Sequence, residues 1–289
     1  MEKGRIIRII SNQYMVRNEA GENLICVAMG KLRKNASPIV GDLVDIEHFS
    51  SQIGIQKIYP RRNELQRPLV ANVDQAIIVM SYIEPTFSTT LVDRLIFLVA
   101  YAGIKPLICV TKMDLVKAND PIYNIIEDYR KSGYEVFESG KGMDDCDLFA
   151  AIDHKTSVLT GQSGAGKSSL LNRMEPKFHL QTQAISKALG RGKHTTRHCE
   201  LLPVAHGWIA DTPGFSSLDF TNMDLTKLAA CIPDFQKEIG NCRFHNCVHV
   251  NEPDCAIAHA VDIGEISKIR YRNYLDIAQI IKSQPNKYK

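Results

Sequence analysis

The 289-residue sequence has no long apolar run, no strong net charge and no extreme composition. No apolar stretch approaches the ~18 to 20 residues that cross a bilayer. Arg5 and Arg8 interrupt the apolar residues near the start, which a secretory signal would keep continuous. These absences predict a cytoplasmic protein that does not bind membranes. Hydrophobic residues make up 44% and charged residues 23%, which is ordinary for a chain that folds around a core.

The net charge is only +3, from 35 Lys and Arg against 32 Asp and Glu. Residues 1–66 contain ten cationic and seven acidic side chains, so this segment accounts for the whole excess. Such a mild bias favours an ordinary solvated surface over a dedicated nucleic-acid surface. Charge alone therefore names no partner.

Short strand-like segments dominate the first part of the chain. Between residues 5 and 58 they read RIIRII, YMVR, LICVAM, DLVDIEH and IGIQKIY, and turn formers such as NEAGEN and VGD separate them. Short strands at this spacing predict a small closed β-barrel. The following stretch PRRNELQRP, residues 60–68, is typical of a linker.

Beyond residue 68, apolar runs rich in β-formers alternate with helix-like stretches. The runs VDQAIIVMSY, KPLICVTK, TSVLTGQS and GWIADTPG predict buried parallel strands. The stretches TTLVDRLIFLVAYAG, IYNIIEDYRKSG and GKSSLLNRM predict helices, with Gly103 and Gly133 as C-terminal caps of the first two. This alternation is typical of an α/β domain.

The pattern changes after about residue 224, where a short helical piece precedes a Cys/His cluster and a final helix. Lys268, Arg270 and Arg272 of that helix are predicted either to contact RNA phosphates or to form a solvated face. The sequence as a whole predicts a multidomain α/β protein. Its expected parts are an N-terminal β-barrel at 1–66, an α/β domain at 67–223 and a mostly helical C-terminal domain at 224–289.

The segment TGQSGAGKSSLLN, residues 160–172, fits the phosphate-binding pattern G-x-x-x-x-G-K-[ST]. It follows a predicted strand and begins a predicted helix, where backbone N–H groups bind phosphate oxygens. The alternative is a glycine-rich turn without a ligand. Lys167 is predicted to bridge the β- and γ-phosphates, and Ser168 to ligate Mg²⁺. The predicted phosphate-binding residues are Gly161, Gln162, Ser163, Gly164, Ala165, Gly166, Lys167, Ser168 and Ser169.

Two later segments are predicted to complete the Mg²⁺ and γ-phosphate site. WIADTPG ends a strand with D-x-x-G, in which Asp211 would hold Mg²⁺ and the Gly214 N–H would contact the γ-phosphate; this pattern alone also arises by chance. GRGKHTTRH, residues 190–198, is either a nucleotide-sensing switch or a basic surface loop. Its Thr195 and Thr196 are the candidates to reach Mg²⁺.

The base-reading segment is VTKMDL, residues 110–115, and it precedes the phosphate loop in the chain. Asp114 would accept hydrogen bonds from guanine N1–H and the exocyclic amine, while the Lys112 stem would lie along the ring. Adenine has neither donor, so GTP is predicted rather than ATP. TKMD alone is also compatible with an ordinary strand-end turn. The nearby ESGKG adds a small-residue loop, and the predicted base-binding residues are Thr111, Lys112, Met113, Asp114 and Ser139.

Eight cysteines are present, and three of them lie within residues 242–255, CRFHNCVHVNEPDC. Cysteines that cluster in a reducing compartment indicate a metal rather than disulfides. Three thiolates and one imidazole suit one tetrahedral structural Zn²⁺ with a closed ligand shell, the alternative being free thiols. The predicted ligands are Cys242, Cys247, His249 and Cys255.

TKMD, SGK, GQSGAGKS, KHTT and DTPG resemble the five GTPase motifs in the order four, five, one, two, three, which is a circular permutation. The chain resembles the RsgA (YjeQ/YloQ) family of bacterial GTPases over nearly its full length. That resemblance implies an OB-fold barrel, a permuted GTPase domain and a zinc-bearing C-terminal domain. It also implies GTP/GDP, Mg²⁺ and Zn²⁺ as cofactors, and the small ribosomal subunit and its rRNA as partners. A monomer is expected.

The implied activity is GTP hydrolysis in late maturation of the small subunit, stimulated by the subunit. Family alignment favours Thr196 over Thr195 as the threonine that faces Mg²⁺. Thr111 stands where the family commonly has Asn, which predicts a modestly weaker affinity for guanine. Phe215 follows Gly214 where many GTPases have a Gln that orients water, so slow unstimulated hydrolysis is expected. His194 is the candidate for that catalytic role, or else a surface histidine.

Two other functions are compatible with parts of the sequence. An RNA-binding zinc protein could carry a guanine nucleotide that stabilises its fold and turns over slowly, because the Gln is missing. A P-loop kinase for a small molecule would need an acceptor-binding lid, and the guanine motif argues against it. Turnover in the presence of small subunits separates the first of these from a stimulated GTPase.

Overall fold

A computed structural model of the protein describes residues 1–30, 32, 37–66, 68–178, 199–211 and 218–284. Its contacts divide into two units. The first unit comprises Met1–Ala76, Leu148–Leu159 and Lys167–Phe215, and the second comprises Ile77–Asp147, Thr160–Gly166 and Ser216–Lys289.

The five apolar bursts at the start of the chain form five strands. They are β1 (Glu2–Ile10), β2 (Gln13–Asn18), β3 (Asn23–Ala28), β4 (Leu43–His48) and β5 (Ile53–Ile58). β1 pairs with both β2 and β4, while β5 pairs with β3 and β4, so the sheet closes on itself. The predicted small closed barrel is confirmed, with the five-stranded connectivity of an OB-fold.

Alternating side chains fill the barrel. Ile6, Val16, Val44, Ile46 and Ile55 are fully buried and pack together, while Arg17 and Leu43, each next to one of them in a strand, are partly exposed and exposed, respectively. Strand side chains alternate between the two faces of a sheet, so one face of each strand supplies the core. Burying five such side chains removes most of their apolar surface from water, which is the main stabilising term of the barrel.

The stretch expected to be a linker is folded, so that prediction is wrong. It contains β6 (Glu64–Gln66), which pairs with β7 (Leu69–Ala71) as an antiparallel hairpin. The Arg61 guanidinium binds the buried Asp42 carboxylate of the barrel through Nε at 2.7 Å and a terminal nitrogen at 2.9 Å. A bidentate ion pair of this kind fixes geometry as well as charge.

The first unit also contains part of the predicted α/β domain. β11 (Thr156–Thr160) pairs in parallel with β13 (Gly207–Asp211), which pairs antiparallel with β12 (Glu200–Val204). β12 in turn contacts the barrel, where Arg8 of β1 lies opposite Glu200. Helix α4 (Lys167–Met174) follows β11, and α3 (Cys146–Ile152) precedes it.

The second unit is built on β8 (Gln75–Ser81), β9 (Lys105–Thr111) and β10 (Val136–Glu138), in the order β10-β9-β8. Helix α1 (Thr89–Tyr101) connects β8 to β9, and α2 (Ile122–Lys131) leads to β10. Each helix ends before a glycine of positive φ, 71° at Gly103 and 88° at Gly133. The two predicted C-terminal caps are confirmed, because this backbone conformation is the one that favours glycine.

The C-terminal part of the second unit is helical. It contains α5 (Leu225–Cys231), α6 (Ala256–Asp262) and α7 (Lys268–Lys282). α7 packs on α1, where the Phe97 and Tyr274 rings meet edge to face at 6.4 Å. Within the described residues, no helix is both long and apolar enough to cross a membrane.

Arg270 of α7 does not face solvent, so its prediction as a phosphate ligand or solvated residue is wrong. The side chain is almost completely buried and donates to the Asp234 carboxylate and the Ser132 hydroxyl. Its guanidinium also lies 4.5 Å from the centre of the Tyr129 ring. A cation at this helical position is buried because a carboxylate and two aromatic rings are available to receive it.

Asp93 of α1 belongs to the same buried polar group. Its carboxylate accepts from the Tyr129 hydroxyl at 2.7 Å and from the Asn273 amide at 2.5 Å. Burial raises the pKa of Asp93 from 3.8 to about 6, although the charge of Arg270 acts in the opposite direction and that of Asp234 adds to the rise. The folded state therefore holds this proton more tightly than the unfolded state.

We expect the stability contributed by Asp93 to be lost as pH rises through about 6, because the raised pKa favours the neutral carboxyl. Relative to Asp93→Asn, the free energy of unfolding of the wild type should fall by about 1.3 kcal/mol between pH 5 and pH 7. Chemical denaturation of both proteins at the two pH values measures this difference. An unchanged difference would contradict the assignment.

Candidate nucleotide site and metal centre

The predicted base-reading segment, residues 110–115, lies at the end of β9. Thr111 is the last residue of the strand, Lys112 has a left-handed backbone with φ of 61°, and Met113–Leu115 forms a 3-10 turn. Asp114 is exposed, and its Oδ1 accepts from the Lys141 N–H at 3.0 Å. Its Oδ2 has no hydrogen-bond partner in the described part of the chain, so the carboxylate is accessible to a ligand.

A second loop supports Asp114. The Met113 N–H donates to the Ser139 carbonyl at 3.1 Å, and the Ser139 N–H donates to the Val110 carbonyl at 2.9 Å. A Cβ at Gly140 would lie 2.6 Å from Asp114 Oδ1, a distance that real Cβ contacts do not reach. The ESGKG segment therefore needs glycine at residue 140 so that its backbone can approach the aspartate.

The phosphate loop runs from β11 to α4. Gly161 has φ of 125°, and a Cβ there would lie 2.0 Å from the Val79 carbonyl oxygen of β8. Glycine is the residue that permits this approach and this conformation. Within the loop, the Ala165 N–H donates to the Gln162 carbonyl at 3.2 Å, and Ala165 is fully buried.

Thr111 connects the base-reading segment to the phosphate loop. Its hydroxyl donates to the Ala165 carbonyl at 2.6 Å, across 54 residues of sequence. Gly166 is also adjacent, since a Cβ there would lie 3.4 Å from Thr111 Oγ1. Thr111 thus forms a hydrogen bond between the predicted base-reading segment and the phosphate loop.

Replacing Thr111 with Val should weaken GDP binding about five- to tenfold. Valine has the same shape but leaves the buried Ala165 carbonyl without its donor, which costs about 1 to 1.5 kcal/mol. Titration with a fluorescent GDP analogue measures the change. Thr111→Ser keeps the hydroxyl and should bind nearly as the wild type does, so equal loss in both variants would contradict the tie.

Lys112 has a contact that the sequence did not reveal. Its ammonium group donates to the Ile83 carbonyl at 2.9 Å and to the Glu84 carbonyl. These carbonyls lie next to the phosphate loop, because a Cβ at Gly164 would be 3.4 Å from Pro85. These two hydrogen bonds anchor the end of the Lys112 side chain beside the phosphate loop.

The remaining described site residues belong to the first unit. Lys167, Ser168 and Ser169 form the first turn of α4, and all three are partly exposed. Burial lowers the pKa of Lys167 from 10.5 to about 8, so its ammonium is held in a poorly solvated position. Asp211 is the last residue of β13.

Four predicted residues lie outside the described part of the chain. They are His194, Thr195 and Thr196 of the GRGKHTTRH segment and Gly214 of D-x-x-G. Their predicted roles stay predictions.

The four predicted metal ligands converge in the second unit. Cys242 Sγ lies 3.5 Å from His249 Nδ1 and 4.0 Å from Cys255 Sγ, and Cys255 Sγ lies 3.5 Å from His249 Nδ1. With Cys247, all the ligand atoms lie within 4.8 Å of one another. A tetrahedral Zn²⁺ at about 2.3 Å from sulfur and about 2.0 Å from nitrogen separates its ligands by about 3.5 to 3.8 Å. The donor set and its spacing fit zinc.

Aromatic residues pack against the cluster and form hydrogen bonds to its backbone. The Phe235 ring packs edge-on against the His249 ring at 5.6 Å. The Tyr271 hydroxyl donates to the His249 carbonyl at 2.9 Å, and the Tyr274 hydroxyl donates to the Val248 carbonyl. Cys255 is also the N-cap residue of α6. The segment that carries the ligands is therefore packed against, and hydrogen-bonded to, the helices of this region.

Comparison with known proteins places this arrangement in a family. The family model described as RsgA GTPase matches residues 58–221, and the one described as RsgA N-terminal domain matches residues 3–55. The chain belongs to the RsgA GTPase family.

Relatives in this family match the chain over its full length. The small ribosomal subunit biogenesis GTPase RsgA of Bacillus subtilis (strain 168) is 43% identical over 298 residues, with all of both chains covered. The protein of the same name from Bacillus pumilus (strain SAFR-032) is 45% identical over 300 residues, again with full coverage.

Solved structures of RsgA relatives have the same fold. The crystal structure of YloQ, described as a circularly permuted GTPase, aligns with a TM-score of 0.84 and 38% identity, covering 100% of this chain and 97% of that one. YjeQ from Thermotoga maritima aligns with a TM-score of 0.82 and 32% identity, covering 98% and 99%. The predicted architecture of barrel, permuted GTPase domain and helical region with a Cys/His cluster is confirmed.

Proposed function

We propose that this protein hydrolyses GTP to GDP and phosphate while bound to the small ribosomal subunit, and that it acts in late maturation of that subunit. The observation that carries the proposal is the contact between Thr111 and Ala165, which joins a guanine-reading segment to a phosphate loop encoded later in the chain. Membership of the RsgA family supports the ribosomal role, because the curated relatives are named for biogenesis of this subunit.

Asp114 reads the base in this proposal. Its accessible Oδ2 and the bonded Oδ1 accept from the guanine N1–H and amine, while the anchored Lys112 stem lies along the ring. Ser139 and Met113 hold the two supporting loops together through their backbones. Adenine offers no matching donors, so the site selects GTP over ATP.

Backbone N–H groups of residues 162–168 bind the phosphates at the start of α4, and Lys167 neutralises them. Ser168, Asp211 and one of Thr195 and Thr196, with Thr196 preferred, are the proposed Mg²⁺ ligands. Mg²⁺ supplies charge neutralisation of the β- and γ-phosphate oxygens when it is bound. The Gly214 N–H is proposed to contact the γ-phosphate.

Cys242, Cys247, His249 and Cys255 are proposed to hold one structural Zn²⁺. Four protein ligands close the coordination shell, so the ion has no position for substrate and stabilises the fold instead. We further propose the domain borders 1–66, 67–223 and 224–289, a monomeric state and a cytoplasmic location, with the barrel and the C-terminal domain contacting rRNA.

The decisive experiment compares GTP and ATP turnover with and without purified small subunits. We expect GTP to be hydrolysed slowly by the protein alone and much faster with subunits, and ATP to be hydrolysed in neither case. If the protein bound GDP but small subunits did not stimulate its GTP hydrolysis, the result would instead favour an RNA-binding zinc protein that carries a structural nucleotide.

His194→Ala should lose most of the subunit-stimulated turnover while keeping nucleotide affinity, because a neutral imidazole can accept a hydrogen bond from the attacking water. General-base or water-positioning groups typically contribute about 10²- to 10⁴-fold. Single-turnover hydrolysis with saturating subunits measures the loss, with His206→Ala as the matched histidine control. Full stimulated turnover in His194→Ala would remove this residue from the mechanism.

A further inference from the structure

A groove of about 470 Å³ lies where the barrel meets β13, entirely within the first unit. Its walls come from β1, from β2 and the turn after it, from the start of β4, from the residue after β5 and from β13. None of these residues belongs to the nucleotide or metal sites. The charged and aromatic residues of this groove, called the Trp208 groove below, are Lys3, Arg5, Arg17, Glu19, Tyr59 and Trp208.

Two partly exposed aromatic rings line the groove, and the structure around each of them is hydrogen-bonded. The Trp208 backbone N–H donates to the Lys155 carbonyl at 2.8 Å, which fixes the strand that carries the indole. The Tyr59 hydroxyl donates to the Asp45 carboxylate, with oxygen separations of 2.9 and 3.1 Å. Rings that are already ordered lose little conformational entropy when a flat ligand stacks on them.

Cations surround both rings. The Arg17 guanidinium lies 5.6 Å from the centre of the Trp208 ring, and the Lys57 ammonium lies 4.7 Å from that of Tyr59. Lys3 is 6.0 Å from the Tyr59 ring as well. Among the described residues that line the groove, Glu19 is the one carboxylate, so the groove is complementary to an anion with a planar part.

We propose that the Trp208 groove binds one or two nucleotides of single-stranded RNA, with a base stacked on Trp208 or Tyr59 and the backbone phosphates at Lys3 and Arg17. Fixed aromatic rings combined with flexible cations are the combination by which proteins bind single-stranded nucleic acid without reading its sequence. A groove of this volume is in the range of sites that take one small ligand. An acidic peptide would satisfy the cations but would leave both rings without a stacking partner.

The Trp208 groove is not the surface that OB-folds ordinarily present to nucleic acid, which is the face of β2 and β3 with the β1–β2 and β4–β5 loops. It lies instead at the β2–β3 turn, near Gly21. Its indole belongs to Trp208 of β13, which is outside the barrel. The inference rests on the proposed role with small-subunit RNA, and it adds a separate attachment point for an unpaired strand.

Trp208 is the single tryptophan of the chain, so its intrinsic fluorescence reports on this groove alone. We expect a single-stranded ten-nucleotide RNA to quench it, and the affinity to fall as salt is raised. The same RNA annealed to its complement should quench far less, because its bases are not free to stack. A ten-residue polyglutamate is the acidic-peptide probe, and quenching by it equal to that by RNA would overturn the proposal.

Variants test the ring contacts by the anisotropy of fluorescein-labelled RNA, which does not depend on Trp208. Trp208→Leu and Tyr59→Leu should each weaken binding on the order of tenfold, the typical effect of losing one stacked base. Tyr59→Phe keeps the ring and should bind nearly as the wild type does. Lys3→Ala should weaken binding and its salt dependence, whereas the charge-matched control Lys237→Ala should not.

GDP affinity of each variant serves as the folding control and is expected to be unchanged. Wild-type RNA affinity in both leucine variants, or RNA binding that leaves Trp208 fluorescence unchanged, would overturn the proposal. Subunit-stimulated GTP turnover is measured separately on the wild type. Its failure would reject the proposed function, whereas failure of the RNA experiments alone would reject only the groove.

Discussion

Asp114→Asn is expected to exchange the base preference of the nucleotide site from guanine to xanthine. Asp114 Oδ1 accepts from the Lys141 N–H, and an asparagine oxygen can take that bond over. The asparagine NH₂ group then occupies the position of Oδ2. It can donate to the 2-carbonyl of xanthine, but it faces the donor amine of guanine.

The expected loss of GDP affinity is about 10²- to 10⁴-fold, because two hydrogen bonds to a charged acceptor are lost at about 1.5 to 3 kcal/mol each. Xanthosine diphosphate should bind the variant more tightly than GDP, the reverse of the wild-type order. Competition against one fluorescent nucleotide gives both affinities on the same scale.

Asp276→Asn is a matched control. Asp276 is an exposed residue of α7, and its substitution removes the same charge at a position far from β9 in the chain. It should keep the wild-type preference for guanine. If Asp114→Asn bound GDP as the wild type does, the carboxylate would not read the base. If it bound neither purine while remaining folded, the proposed geometry of Asp114 would be wrong.

The motifs could be located from the sequence because each requires particular residue types at short spacing. G-x-x-x-x-G-K-S needs Gly161 for a steric reason that the structure makes explicit, namely a Cβ 2.0 Å from the Val79 carbonyl. The five barrel strands were predictable for a similar reason, since alternation places one face of each strand in the core. Local patterns of this kind can be recognised in a single sequence.

Contacts between distant segments could not be predicted in the same way. β10 has three residues and β12 contains Pro203, so neither shows a long apolar run, and both are defined by their neighbours in the sheet. The position of Arg270 depends on Asp234 and Ser132, which are separated from it by 36 and 138 residues. A helical charge pattern cannot indicate a partner at that distance.

Thr111 shows the same limit at the nucleotide site. Its replacement of Asn predicts weaker guanine binding if only the motif is compared. The structure places its hydroxyl 2.6 Å from the Ala165 carbonyl, a contact that the motif does not indicate, and the weaker guanine affinity stays a prediction. What a motif position does depends on the backbone atom opposite it, which the sequence does not specify.

Removing the proposed zinc ion is expected to unfold the region around residues 242–262 while leaving the barrel intact. Zinc binding supplies about 10 to 16 kcal/mol in small zinc-finger peptides, comparable with the whole stability of an ordinary domain. Cys255 begins α6, and the His249 carbonyl and ring contact Tyr271 and Phe235. Loss of the ion therefore removes the support of both a helix and an aromatic cluster.

Cys255→Ser should lose the one bound zinc and the hydrogen-exchange protection of residues 242–262, whereas Cys231→Ser should keep both. Cys231 is a suitable control because it lies in α5, in the same part of the chain, and is partly buried outside the cluster. Metal analysis of the purified proteins gives the stoichiometry, and exchange monitored by mass spectrometry gives the protection. A Cys255→Ser protein with one zinc and wild-type protection would show that these four residues do not form a structural zinc site. Since the barrel core of Ile6, Val16 and Ile46 lies in the other unit, its exchange should be the same in all three proteins.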